Sequence, residues 1–234
     1  MLEVRALASD WFQIMVLYVM LVLGFLLVKC TRSQLKQPSS PSPISLSVSA
    51  AKEDCVVAKC VVLGNSGVGK SSFVKRFVAG VFDPRNCTIG MDFTVRMITT
   101  GSVNIKLQLW EMAGGERYSR LMSGRIFCRG AHVVLLMFAL NNPQSLTDLE
   151  QWAGEVDNCS SSPPPYKVLV GCKSDLGQSL TGETVTEEAI EKMRRDLGGL
   201  VYIPTSAKNG LGFEEITSHI VTKLQEANPE VFNP

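Results

Sequence analysis

This chain lacks an excess of charge of either sign. Its 23 Lys and Arg residues stand against 22 Asp and Glu, leaving a formal charge of +1 over 234 residues. With no broad basic field, the composition gives no argument for nucleic acid as a partner. Paired cysteine motifs are missing as well. The seven cysteines, at positions 30, 55, 60, 87, 128, 159 and 172, are odd in number, scattered, and form no C-x-x-C pair. That usage fits reduced, cytosolic thiols and argues against a disulfide framework or a zinc site. No internal repeat is visible. The length suits one domain of ordinary size plus appendages.

The N-terminus does hold one long apolar run. Trp11 to Val28 (WFQIMVLYVMLVLGFLLV) carries no charge and only Gln13 as a strongly polar residue. As a helix it would span about 27 Å, enough to cross a bilayer, better a thin one such as that of the endoplasmic reticulum. A cleaved signal peptide fits less well. The leader contains Glu3, Arg5 and Asp10, and the segment from Lys29 to Lys36 offers no small-residue cleavage site. A buried core helix would usually show a polar face, which this segment lacks. The expectation is a short segment over 1–10, then a single-pass transmembrane helix over 11–28. Lys29, Arg32 and Lys36 outnumber the lone Arg5, so the C-terminal side should face the cytosol. Residues 29–53 are rich in Ser and Pro and read as a linker, with a reach of roughly 25–30 Å as a flexible coil. Ser40-Pro41 and Ser42-Pro43 are better explained by linker composition than by phosphorylation. Cys30 beside the span is either a palmitoylation site or an inert thiol.

The most informative stretch is Gly64-Asn65-Ser66-Gly67-Val68-Gly69-Lys70-Ser71, a complete G-x-x-x-x-G-K-S loop. It follows the apolar run Cys55 to Leu63 and precedes a helical pattern, Ser72 to Val78. A strand ending in a glycine-rich turn that opens a helix aims successive backbone N–H groups at one point. Polyphosphate fits there, with Lys70 reaching the outer phosphates and the Ser71 hydroxyl on a Mg²⁺ ion.

Beyond the loop, apolar runs and helical stretches alternate. Candidate strands are Val56–Leu63, Met91–Thr99, Asn104–Met112, His132–Leu140, Lys167–Gly171 and Leu200–Ile203; candidate helices are Gly69–Val78, Glu116–Cys128, Gln144–Asn158, Glu187–Leu197 and Gly212–Gln225. The second and third strands flank Thr100-Gly101-Ser102 and predict a hairpin. Strand–helix order elsewhere predicts an α/β fold, a six-stranded, mostly parallel sheet with helices on both faces. Ligands of such sheets bind at the carboxyl ends of the strands.

These residues resemble the small GTPases of the Ras superfamily, and within it most the Rab branch. The resemblance rests on GNSGVGKSS (64–72), TIGMDF (88–93), LQLWEMAGGERY (107–118), RGAH (129–132), NPQSLTDLEQW (142–152), KVLVGCKSD (167–175) and TSAK (205–208), in family order across nearly all of residues 55–226. It implies a Ras-like G domain of the phosphate-loop NTPase class over 54–228, followed by a short tail over 229–234. GTP and GDP are the implied ligands and Mg²⁺ the cofactor; effector, exchange and activating proteins are the implied partners, as is the membrane through residues 11–28.

The resemblance also assigns roles. Gly64, Asn65, Ser66, Gly67, Val68, Gly69, Lys70, Ser71 and Ser72 would form the nucleotide-binding loop. Thr88 would give a hydroxyl to Mg²⁺ and a backbone N–H to the γ-phosphate, which Gly114 would also contact. Phe82 would pack against guanine, Asp175 would accept from the guanine N–H groups, and Lys173 would lie along the base. Ala207, between Ser206 and Lys208, would offer its N–H to the guanine oxygen. Phe93 and Trp110 resemble part of the apolar patch read by effectors, although ordinary hairpin packing explains that pair equally well.

Three departures fall on chemically important positions. Glu111 replaces the Asp that orients a Mg²⁺-bound water, one methylene farther out, so the arm must fold back or displace the water. Gly115 stands where the family places the Gln that orients the attacking water, which implies slow hydrolysis. Cys172 takes the place of an Asn that bonds the base edge and braces neighbouring loops, and a thiol is a weak substitute. The last residues, Glu230-Val231-Phe232-Asn233-Pro234, hold none of the prenylated cysteines of the family, so the apolar N-terminus is the expected anchor. Two functions follow: a membrane-tethered trafficking switch that hydrolyses GTP slowly or, as the alternative, a GTP-loaded pseudo-GTPase that recruits effectors without significant turnover. An ATP-using relative is disfavoured by Asp175 and the Thr205-Ser206-Ala207-Lys208 run.

Overall fold

A computed structural model describes residues 55–83, 91–112, 127–159, 163–179 and 184–232. The six strands are β1 (Cys55–Leu63), β2 (Met91–Thr100), β3 (Val103–Met112), β4 (Val133–Ala139), β5 (Tyr166–Cys172) and β6 (Val201–Pro204). They form a sheet in the order β2-β3-β1-β4-β5-β6. The β2–β3 hairpin is antiparallel, and every other pairing is parallel. The expected α/β sheet is therefore present, hairpin included.

β4 explains why the sheet is covered on both sides. Its sequence, VVLLMFA, is apolar without alternation and every residue of it is buried, as a central parallel strand requires. Val133, Leu135 and Met137 join one core with Phe73, Phe77, Phe213, Ile216 and Ile220. Val134, Leu136 and Phe138 join a second core with Trp152, Ala153, Val156, Ile190 and Met193. The first core holds α1 (Lys70–Ala79) and α5 (Phe213–Ala227); the second holds α3 (Leu149–Asn158) and α4 (Glu187–Asp196).

Two expectations change. The single helix expected over Gln144–Asn158 is two, α2 (Pro143–Thr147) and α3, divided at Asp148. Its apolar spacing is unbroken, and the dividing residue, Asp148, stays in the right-handed helical region. The C-terminal tail carries a short helix, α6 (Pro229–Phe232), whose Phe232 packs against the first core. Among the described residues no helix is long and apolar enough to cross a membrane. The expected span over 11–28 and linker over 29–53 lie outside those residues, as does most of the helix expected over Glu116–Cys128.

Candidate functional site

The loop between β1 and α1 turns where side chains cannot. Gly64 has φ +142°, and a Cβ there would lie 2.1 Å from the Met137 carbonyl oxygen. Gly69 has φ +115° and caps α1 with no side-chain bond to the helix's first turn. The leading N–H groups of α1 are thus left without a side-chain cap, and no acidic residue stands in that turn. An uncapped helix start of this kind favours an anion.

Lys70 lies beneath the loop, only 5% exposed. Its ammonium donates to the carbonyl oxygens of Gly64 and Asn65, each at 2.8 Å. Burial lowers its pKa to about 8, opposed first by the Glu111 charge. An ammonium so placed adds positive charge at the point where the helix N–H groups converge. Val68 is buried beside it, Ser66 and Gly67 are exposed, and Ser72 is half-buried on α1.

Glu111 is 2% exposed near the end of β3, and its Oε1 accepts a hydrogen bond from the Ser71 hydroxyl. The longer arm therefore reaches across to the start of α1. A serine that donates its proton to a carboxylate keeps its oxygen lone pairs for a cation. The donor set, a hydroxyl and a carboxylate, is all oxygen and fits Mg²⁺.

A second pair of loops meets at the ends of β5 and β6. Lys173 adopts φ +64°, the only positive φ outside glycine among the described residues, a conformation that costs free energy and concentrates at functional sites. Ser174 N–H donates to Thr205 O at 3.0 Å, which joins the two loops. Ser206, fully buried, donates from its hydroxyl to Asp175 Oδ1 at 2.7 Å. The same hydroxyl accepts from Asn209 N–H at 3.1 Å, and Thr205 binds Gly171 O. Asp175 is thus fixed in direction, while Ala207 is half-buried and Lys208 exposed.

Cys172 is 4% exposed, and burial raises its thiol to about 12 despite a hydrogen bond with Thr205. A Cβ at Gly69 would sit 3.7 Å from Cys172 Cβ, so this neutral thiol lies between the two loop systems. Phe82, 40% exposed, presents its ring beyond the end of α1.

A profile of the Ras family matches residues 59–226. The chain belongs to the Ras family. It is 34% identical over 171 residues to "Ras-related protein RABD2b" and to "Ras-related protein RABD2c", both of Arabidopsis thaliana, covering 71% of this chain and 81% of each relative. It is 35% identical over 169 residues to "GTP-binding protein YPTM2" of Zea mays, covering 72% and 80%. Ras-family GTPases bind GTP or GDP with Mg²⁺ as the usual cofactor.

For a Ras-family domain, the structure gathers Lys70, Ser71 and Glu111 at one point and Lys173, Asp175, Ser206 and Ala207 at another, with Cys172 between. Thr88, Gly114 and Gly115 lie outside the described residues. Phe93 and Trp110 are hairpin partners whose rings stand 4.8 Å apart, and Phe93 is 47% exposed. They both pack as a pair and leave one ring open. Asp148 and Trp152 were not expected at the site, although both hydrogen-bond the side chain of Asn65. Only the NPQSLTDLEQW stretch hinted at them, and it gave them no role.

Proposed function

We propose that this chain is a membrane-anchored, Rab-like switch that binds guanine nucleotide and hydrolyses GTP slowly. The observation that carries the nucleotide reading is the fixed Asp175 carboxylate. Ser206 holds it between the loops, where a charge-assisted pair with guanine N–H groups selects that base over adenine. Lys70 and the start of α1 bind the phosphates. Ser71 and Glu111, with Thr88, hold Mg²⁺, which when bound neutralises charge on the outer phosphate oxygens. In the loaded state Thr88 and Gly114 would contact the γ-phosphate, and effectors would read that state at Phe93 and Trp110. An early secretory-pathway membrane, with the G domain in the cytosol, is supported by the uncharged Trp11–Val28 run and the basic residues after it.

Slow turnover follows from Gly115, which has no side chain to orient water. Single-turnover phosphate release by the full chain in detergent tests it, beside a G115Q variant. The variant should be faster by about 10²-fold, the scale on which misplacement costs rate. An unchanged rate would place the obstacle at Glu111 or Cys172 instead. Retention of the chain in alkaline-washed membranes tests the anchor; release into the wash would remove it. The second reading, a pseudo-GTPase that presents its effector face while loaded, is favoured by the direct Glu111–Ser71 contact and the neutral Cys172. No phosphate release above buffer, with or without a cell extract as activator, would select it.

A further inference from the structure

We propose that Asp148 and Trp152 are positioning residues, setting the shape of the phosphate loop through the side chain of Asn65. This rests on the reading of that loop as a phosphate cradle. Asn65 is the loop's second residue and is half-buried. Its Oδ1 accepts from Trp152 Nε1 at 3.0 Å, and its Nδ2 donates to Asp148 Oδ2. An indole nitrogen only donates and a carboxylate only accepts, so the amide has one orientation that satisfies both. The backbone carbonyl of the same residue is held by Lys70. Asn65 is therefore anchored by main chain and side chain together, which fixes the peptide that leads to the exposed Ser66 and Gly67.

Asp148 spends its carboxylate away from its own helix. It is the N-cap residue of α3, yet its carboxylate makes no capping bond to that helix. One oxygen faces Asn65 and the other accepts from Gln144 Nε2 at 2.6 Å. Its backbone is helical, not in the extended form of a capping residue, and the carboxylate turns to a loop 83 residues away in sequence. Trp152, 9% exposed, stands one turn along α3 in the second core, so it holds the loop from a rigid element.

The test is release of a fluorescent GDP from the purified full chain. N65D sets two carboxylates against each other and should release GDP faster by about tenfold. N65D combined with D148N exchanges acceptor and donor while keeping both bonds, and should return release to within about twofold of wild type. W152F keeps an aromatic ring, smaller than the indole, and removes the one donor; about threefold faster release is expected, and it serves if N65D fails to fold. A purely structural role would shift the melting temperature of these variants without this loss and recovery of release rate. Release from N65D at the wild-type rate, or no recovery in the exchanged pair, overturns the inference. A wild-type chain that holds no GDP overturns the phosphate-cradle reading beneath it, and this inference with it.

Discussion

At the end of the site proposed to take the base, Asp175 keeps its carboxylate and its Ser206 donor, while the brace beside it is the neutral thiol of Cys172. At the end proposed to take the phosphates a carboxylate is also kept, but Glu111 reaches directly to the Ser71 hydroxyl. The base end has lost a neutral hydrogen-bonding group and kept its charge in place; the phosphate end has kept its charge and moved it. Selecting a base depends on which charged acceptor is present. Binding a small hard cation depends on where the acceptor sits. The first change should lower affinity without altering which base is chosen, whereas the second should act on the metal. The largest break in this comparison is D175A. Two charge-assisted hydrogen bonds would be lost, each worth about 1.5–3 kcal/mol, so GTP affinity should fall by at least about 10²-fold. Calorimetry against GTP and ATP measures it. Undiminished binding would remove guanine selection from this carboxylate and the contrast with it.

C172N should act in the opposite direction and more mildly. It supplies the donor and acceptor that the thiol replaces poorly, in a pocket bounded by Gly69 and Thr205. Restoring buried hydrogen bonds worth about 1–3 kcal/mol should slow GDP release by roughly 5- to 150-fold. A melting curve on the same sample checks that the amide is accommodated. Equal or faster release from a folded variant would mean that the surrounding loops had already adjusted to sulfur.

These departures were visible once the residues were set beside the family pattern they resemble, because they fall inside short motifs whose chemistry is local. The sheet was legible for a similar reason. A run such as β4's VVLLMFA fits only a strand covered on both faces. The break at Asp148 was not legible, because Leu146, Leu149, Trp152, Ala153 and Val156 keep helical spacing across it; nor was the contact of Asp148 with Asn65, a partner distant in sequence. Nor does a lysine announce a positive φ. Lys173 adopts one because the chain must turn at the end of β5 while Ser174 and Thr205 hold the loops together. The short helix in the tail had a signal that passed unread: Pro229 is its first residue, where proline is well suited to a helix start.

The smallest effect is expected at the metal, and it sharpens the comparison most. In E111D the carboxylate withdraws by one methylene from the Ser71 hydroxyl, leaving space for a water between acid and cation. Mg²⁺ holds its waters tightly and demands near-ideal octahedral geometry, so returning that space should tighten it. About three- to tenfold is the expected gain, up to about 1.4 kcal/mol. Titrating Mg²⁺ against GDP release from the loaded protein reads this without hydrolysis. If E111D weakens the metal instead, the long arm's contact with Ser71 is the working arrangement, and the phosphate end has been rebuilt around glutamate. The two ends would then differ in kind: one short of a hydrogen-bonding group, the other re-formed with all its parts.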